Sequence, residues 1–380
     1  MKKSIIIAAI FFAAGILLSA AFSVGLRKAP EVTQSPVSSE KDTEIEELKR
    51  RVSLLESENK MLKEAPNGFY QKLKRGYDVN ILINGDSIGR GNGASEGRDF
   101  ASLLKAYLEE EYKVQCNITN ISMGGNSSYA GYVREQLLSD GINYDLAIIC
   151  YGENDGRKSL GKEYEAMIRT LHKKYNRCSI ITVLESSQKT VTEKIQTIMD
   201  VSAHYSIPAA DTIKAFNESG LSYDELTVDE KHPNDQGYRL YFEAIRDIIN
   251  TKTGDYEPFN EDFPPPLFKE AESYDGFYYI PAEAFEREGE QRLKIKINGR
   301  IAGIPGIYQS LLPGGQVLSL YSDGALFGEY SFDWPYEDPQ ETIGGLSEKE
   351  LISESELILN FSSPEAAGGF KGLTFTGTGE

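Results

Sequence analysis

Val79-Asn80-Ile81-Leu82-Ile83-Asn84-Gly85-Asp86-Ser87-Ile88-Gly89 decides how the rest of this chain is read. A short apolar run rich in branched residues stops at a Gly, and a Ser follows two positions later. Runs of this length bounded by Gly read as buried strands. The Ser therefore stands where a strand ends and the chain turns, on a loop that a rigid sheet can aim. Such a Ser becomes chemically interesting only if a base and an oxyanion site appear downstream.

Working outward, the same rhythm repeats. Asp99 to Tyr112 has helical spacing, Val114 to Ile121 reads as a second strand, and Tyr129 to Leu138 as a helix. Tyr144 to Tyr151 is a third strand, and a helix over 162–175 leads to strand Ser179–Leu184. A helix over 190–205 leads to the short strand Ile207–Ala210, and Gln236 to Ile249 closes the unit. Strands alternating with helices imply a parallel sheet covered on both faces. Ligands of such sheets bind beyond the carboxyl ends of the strands. Ser87, Gly125 and Asn154 each fall just past the end of a different strand.

The other parts of the 380 residues divide by composition. Met1-Lys2-Lys3 precedes 22 uncharged residues, Ser4 to Gly25, enough to cross a hydrocarbon core of roughly 30 Å as a helix. Residues 1–26 are thus expected to be a membrane anchor with the rest of the chain outside the cytoplasm. Cleavage as a signal peptide after Ala21, giving a secreted protein, is the alternative. Residues 27–40, rich in Pro, Ser and Thr, read as a linker. Within 41–65, Ile45, Leu48, Val52, Leu55, Asn59 and Leu62 form an a/d seam. Glu44 with Lys49, Arg51 with Glu56 and Glu58 with Lys63 would pair attractively across a parallel homodimer, and Asn59 at an a position favours two strands. A single solvated stalk is the plainer reading.

The α/β unit is expected over 67–252. A Pro-rich linker, 253–266, then leads to a β-rich domain over 267–380. Strand-like pieces recur there between Gly and Pro punctuation: Phe277–Ile280, Arg292–Ile297, Gln316–Tyr321, Leu326–Phe332, Leu357–Phe361 and Gly372–Phe375. The pattern suits a small β-sandwich. It serves as an accessory carbohydrate-binding module or as a structural or docking domain.

A net charge of −18 argues against nucleic acid, whose phosphates need clustered Lys and Arg. Cys116, Cys150 and Cys178 have neither CxxC spacing nor a disulfide framework and read as small buried hydrophobes. No metal-ligand motif is visible, so neither metal nor other cofactor is expected.

One more stretch matters: Thr227-Val228-Asp229-Glu230-Lys231-His232-Pro233-Asn234, between the fifth strand and the last helix. Of the three His, His172 and His204 sit on helices; His232 alone lies on a loop at the active edge, with a carboxylate three residues before it. A Ser hydroxyl needs a base, and the base an orienting acid. Ser87, His232 and Asp229 supply the three types.

Gly85-Asp86-Ser87, the Gly of Asn120-Ile121-Ser122-Met123-Gly124-Gly125-Asn126, Gly152-Glu153-Asn154-Asp155 and Asp229-Glu230-Lys231-His232 resemble the four blocks of the SGNH (GDSL) hydrolase family, in order, across residues 76 to 250. The resemblance implies a three-layer sandwich around a five-stranded parallel sheet. It implies Ser87 as nucleophile, His232 as base and Asp229 as its orienting acid. The backbone N–H of Ser87, the N–H of Gly125 and the Asn154 side chain would form the oxyanion hole, with Gly124 competing for the second place. Gly85-Asp86-Ser87-Ile88-Gly89 also fits the GxSxG elbow of α/β-hydrolases, but that elbow follows several strands and Ser87 follows the first. Glu153 stands where the family often has a small residue.

The sequence thus leads us to expect a serine acyl-ester hydrolase, an acetylesterase, working outside the membrane on an acylated polysaccharide or small ester. A polysaccharide O-acetyltransferase using the same triad is the nearest alternative. A catalytically silent binding scaffold is the alternative of another class.

Overall fold

The computed structural model describes residues 37–63, 66, 68–255 and 263–377. The expected anchor over 1–26 lies outside the described residues, as does most of the 27–40 linker. Among the described residues, no helix is long and apolar enough to cross a membrane. The stalk is one helix, α1 (Val37–Lys63), which starts inside the stretch expected to be linker. Its seam residues Ile45, Leu48, Val52 and Leu55 are all exposed, at 49 to 57%.

The second unit starts at Pro66. After α2 (Phe69–Lys74), strands β1 (Val79–Gly85), β2 (Cys116–Asn120), β3 (Leu146–Cys150), β4 (Ser179–Leu184) and β5 (Ala209–Asp211) form one sheet in the order β2-β1-β3-β4-β5. All four pairings are parallel. The period-2 alternation of strand side chains splits the sheet between two cores. Leu82, Ala147 and Ile149 face one layer, with Tyr132, Tyr164 and Ile195. Ile81, Ile83, Leu146 and Ile148 face the other, with Phe100, Leu104 and Tyr241. The central strands β1, β3 and β4 are buried on both faces, which is why they read as apolar runs, whereas the edge strand β2 is partly exposed. Truncating one of these fully buried Leu or Ile residues to Ala would cost ~2–5 kcal/mol.

The helices that cover the sheet are α3 (Ser87–Arg90), α4 (Phe100–Tyr112), α5 (Ser128–Leu137), α6 (Leu160–Lys174), α7 (Glu193–His204), α8 (Thr212–Glu218) and α9 (Asp235–Asp255). In the observed order the chain reverses its direction of winding between β1 and β3. That switch point is where doubly wound sheets open a crevice for ligands.

The described part of the Pro-rich stretch is docked. Leu267 and Phe268 donate their N–H groups to the buried Glu165 carboxylate, at 2.5 and 2.7 Å. Phe263 stacks on His172 and Tyr205, with centroids 3.8 and 4.3 Å away, and His204 Nε2 meets the Pro265 carbonyl at 2.7 Å.

Beyond it lies a domain of ten strands and a short helix, α10 (Pro364–Gly368). The strands are β6 (Phe277–Pro281), β7 (Glu286–Arg287), β8 (Arg292–Lys296), β9 (Ile301–Leu311), β10 (Gln316–Ser322), β11 (Ala325–Phe332), β12 (Gln340–Gly345), β13 (Leu351–Ser353), β14 (Glu356–Phe361) and β15 (Phe370–Thr376). They form antiparallel sheets in the orders β11-β10-β14-β8-β7 and β12-β9-β15-β6, with β13 on β9. One core joins them, including Leu318 and Leu359 from the first and Ile307 and Phe375 from the second. The longest strand, β9, is absent from the sequence expectation because Gly303, Pro305 and Gly306 read as a turn. Gly306 is instead where β9 approaches the α/β domain: a Cβ there would lie 2.2 Å from the Tyr129 hydroxyl.

Candidate active site

Ser87 is the first residue of α3, and Asp86 caps it: Asp86 Oδ1 accepts the Ile88 N–H at 2.8 Å. The turn is tight. A Cβ on Gly85 would stand 2.7 Å from the Cys150 carbonyl, so only Gly fits between the two strand ends. Tyr238 from α9 fixes the chain after the Ser, its hydroxyl donating to the Asn92 carbonyl at 2.8 Å with the Ile88 carbonyl 3.1 Å away.

The structure brings Ser87, His232 and Asp229 together. Ser87 Oγ lies 2.8 Å from His232 Nε2, and His232 Nδ1 lies 2.7 Å from Asp229 Oδ2. Asp229 Oδ1 also accepts the N–H groups of Lys231 and His232, both at 2.7 Å, so one carboxylate shapes its own loop and orients the ring. Partial burial pushes the Asp229 carboxyl up. The bonds from the His232 ring and from the two backbone N–H groups outweigh that and hold it at about 2. A carboxylate ionised at every working pH keeps a proton on Nδ1 and leaves Nε2 free to take one.

The site is shallow. Ser87 is 9% exposed, and the side chains of His232 and Asp229 are 23% and 50% exposed.

The expected oxyanion residues gather beside Ser87. Gly125 has φ +69°, a left-handed conformation that suits Gly and not a residue with a side chain. A Cβ on Gly124 would be 3.6 Å from the Ser87 Cβ. Asn154 follows β3, and both hydrogens of its amide are engaged: Nδ2 donates to Asp86 Oδ2 at 3.0 Å and to the Asn126 carbonyl at 3.2 Å. To serve an oxyanion, Asn154 must exchange one partner, and the longer bond to Asn126 is the weaker.

Two buried carboxyls lie under this loop. Burial pushes Asp86 up to about 7, against the Ile88 N–H bond that lowers it and with the Asp155 charge that raises it further. Burial and the Asp86 charge push Glu185 well above the usual carboxylate range. Glu185 Oε2 accepts the Glu153 N–H at 2.8 Å, and Cys150 Sγ donates to Oε1 at 3.4 Å. All three Cys are buried and unpaired, as small hydrophobes are.

Sequence reading missed three contributors. Lys231 forms an ion pair with Glu153 at 2.8 Å, which gives that departure from the family pattern a partner. The buried Asn126 bridges the Gly125 loop to the β-rich domain, and Gln340 of that domain reaches the Gly124 carbonyl. No local pattern marks Asn126 or Gln340.

Residues 83–240 match the GDSL-like Lipase/Acylhydrolase family. That match falls within the α/β domain and takes in Ser87, Gly125, Asn154, Asp229 and His232. A solved two-domain esterase (CEX) active on acetylated mannans, co-crystallised with mannopentaose, is similar at 17% identity and TM-score 0.65, over 81% of this chain and 93% of that one. A second structure of a two-domain esterase (CEX) active on acetylated mannans gives 16% identity and TM-score 0.63, over 81% and 94%. Axe2, an acetylxylan esterase from Geobacillus stearothermophilus, gives 19% identity and TM-score 0.39, over 46% of this chain and 96% of its own. No curated protein matches the chain. At these identities the two-domain structures share the fold of the α/β domain and its β-rich companion.

Proposed function

We propose that this GDSL-type esterase removes acetyl groups from a surface or extracellular polysaccharide through an acyl-Ser87 intermediate. The observation that carries the reading is the unbroken Ser87–His232–Asp229 chain, at 2.8 and 2.7 Å. His232 Nε2 takes the Ser87 proton as Oγ attacks the ester carbonyl. The N–H groups of Ser87 and Gly125 and the Asn154 amide receive the oxyanion. His232 then gives the proton to the leaving sugar oxygen. Water, activated by the same His232, frees acetate and restores Ser87.

A shallow triad suits an acyl group borne on a bulky polymer. The fold-level likeness to an esterase active on acetylated mannans favours the same substrate class. Exposed Tyr336 packs against Trp334 at 4.8 Å between centroids, only four residues before Gln340, and such rings offer faces to sugars. The stretch Ser4–Gly25 supports placement outside the cytoplasm, membrane-anchored or secreted. The heptad spacing of the exposed Ile45, Leu48, Val52 and Leu55 on α1 supports a parallel homodimer.

The same triad with a sugar hydroxyl in place of water is an O-acetyltransferase. The test gives the full chain, with Ser87→Ala as control, an activated acetyl ester together with acetylated and unacetylated manno- and xylo-oligosaccharides. Products are followed by mass spectrometry. Ser87-dependent acetate with bare sugar identifies the hydrolase. Newly acetylated sugar identifies the transferase. An intact protein that neither turns over ester nor is labelled at Ser87 by a phosphonate is a scaffold.

A further inference from the structure

The β-rich domain touches the loop that carries Gly125 through β12, and the chemistry of that contact is specific. β12 ends its sheet, and the Asn126 side chain fills part of its edge. Asn126 Oδ1 accepts the Ile343 N–H at 2.8 Å and lies 3.4 Å from Thr342 Oγ1. Asn126 Nδ2 donates to the Glu341 carbonyl at 3.1 Å and back to the Gly124 carbonyl at 2.8 Å. Gln340 Nε2, from the first residue of β12, donates to the same Gly124 carbonyl.

The Gly124 carbonyl and the Gly125 N–H belong to one peptide unit. That unit is planar and trans, so the two groups point in opposite directions. Two donors on the carbonyl therefore set where the N–H points, and they polarise it as a donor. The contact is close: a Cβ on Gly125 would sit 2.6 Å from Gln340 Nε2. The Asn126 carbonyl, in turn, holds the Asn154 amide. The loop that bears the Gly125 N–H is thus held from the other domain, and its Asn126 carbonyl holds the Asn154 amide until an oxyanion takes that hydrogen.

We propose that the β-rich domain is a working part of the active site: Gln340, with Asn126, is a positioning residue that aims the Gly125 N–H at the oxyanion. The inference rests on the reading of Ser87 as nucleophile and Gly125 as oxyanion donor. It makes the C-terminal domain indispensable to turnover even of a small ester that no sugar-binding surface would recognise.

The test uses the full chain and 4-nitrophenyl acetate. Gln340→Met keeps the length of the side chain and removes the donor. Asn126→Asp keeps the acceptor for the Ile343 N–H and removes the donor to Gly124. Each is expected to lower kcat by roughly 10–100-fold and to slow phosphonate labelling of Ser87 in proportion. In Gln340→Met, KM, the shape of the pH profile and the melting temperature should stay as in the parent, whereas Asn126→Asp, which buries a charge against two carbonyls, should also melt lower. Should Asn126→Asp fail to fold, the partly exposed Gln340→Met carries the test alone. Full kcat in a folded Gln340→Met protein overturns the inference, and so does a raised KM with kcat retained, since Gln340 would then only bind substrate. A parent protein with no Ser87-dependent turnover removes the functional reading, and this inference with it. An active parent with fully active variants removes this inference alone.

Discussion

Lys231 Nζ lies 2.8 Å from Glu153 Oε1, joining the loop that carries His232 to the loop that carries Asn154. Glu153 Oε2 also accepts from Gln188 Nε2 at 2.7 Å, and Lys194 Nζ holds the carbonyls of Gly152 and Glu153, both at 2.8 Å. The acid that breaks the family pattern is a brace between two halves of the site. Glu153→Ala should lower kcat for a small acetyl ester by more than about threefold and less than about 100-fold. Little stability should be lost, because the Lys231 end of the pair is exposed. Steady-state kinetics beside a thermal melt decides it; unchanged kcat means that the pair braces nothing.

Asp229→Asn should be far more damaging than its half-exposed position suggests. An amide cannot hold the Nδ1 proton in the same way, and the ring tautomer is lost; comparable changes cost about 10⁴ in kcat. Retention of a tenth of the parent rate would show that His232 is oriented by something else.

Asp229 also has a stability signature. Its carboxyl is held at about 2 in the fold against 3.8 unfolded. Its contribution is therefore present above 3.8 and is lost as pH falls toward 2. Urea midpoints measured between pH 2 and 5 should fall with acid more gently in Asp229→Asn than in the parent. Parallel curves would contradict this.

The buried carboxyls slope the other way. Asp86 stands at about 7 against 3.8 unfolded, Glu163 at about 7 against 4.5, and Glu185 is raised well above its ordinary value, each first by burial. Groups raised in the fold stabilise fully below their unfolded values and lose that stability as pH climbs through the folded ones. Stability should decline from about pH 4 to pH 8, by on the order of 1 kcal/mol or more. Glu185→Gln, which removes one titrating group and keeps a carbonyl acceptor for the Glu153 N–H, should flatten the decline. Denaturant melts at several pH values are the measurement, and an unflattened slope would assign the decline to other groups.

The seam of α1 predicts self-association. A peptide of residues 37–66 should sediment as a dimer, and Leu48→Asp with Val52→Asp should make it a monomer, because two buried carboxylates in an a/d seam are not tolerated. A parent peptide that stays monomeric at high concentration would leave α1 a lone stalk.

Much of this was written locally. Leu82 and Ile83 demanded burial on two faces, Gly85 demanded a turn, and Asp229 three residues before His232 placed a carboxylate within reach of its ring. Each of these depends on neighbours in the chain, so period and turn chemistry were enough to locate the five strands and to put Ser87, Gly125 and Asn154 past their ends, while the order β2-β1-β3-β4-β5 came from the tertiary structure. Strand β9 escaped because its Gly and Pro residues are turn-formers in isolation, and only pairing with β12 and β15 makes them extended. Gln340 and the Gly124 carbonyl are 216 residues apart, and a partly exposed Gln before a Glu carries no periodic signal. Ser87, His232 and Asp229, which the structure brings within hydrogen-bond distance of one another, were each singled out by the sequence. The partners that hold Gly125 and Asn154 in place came only from the packing of one domain's sheet edge against another's loop, because hydrogen bonds between distant segments depend on where whole elements lie and not on the order of residues within any one of them.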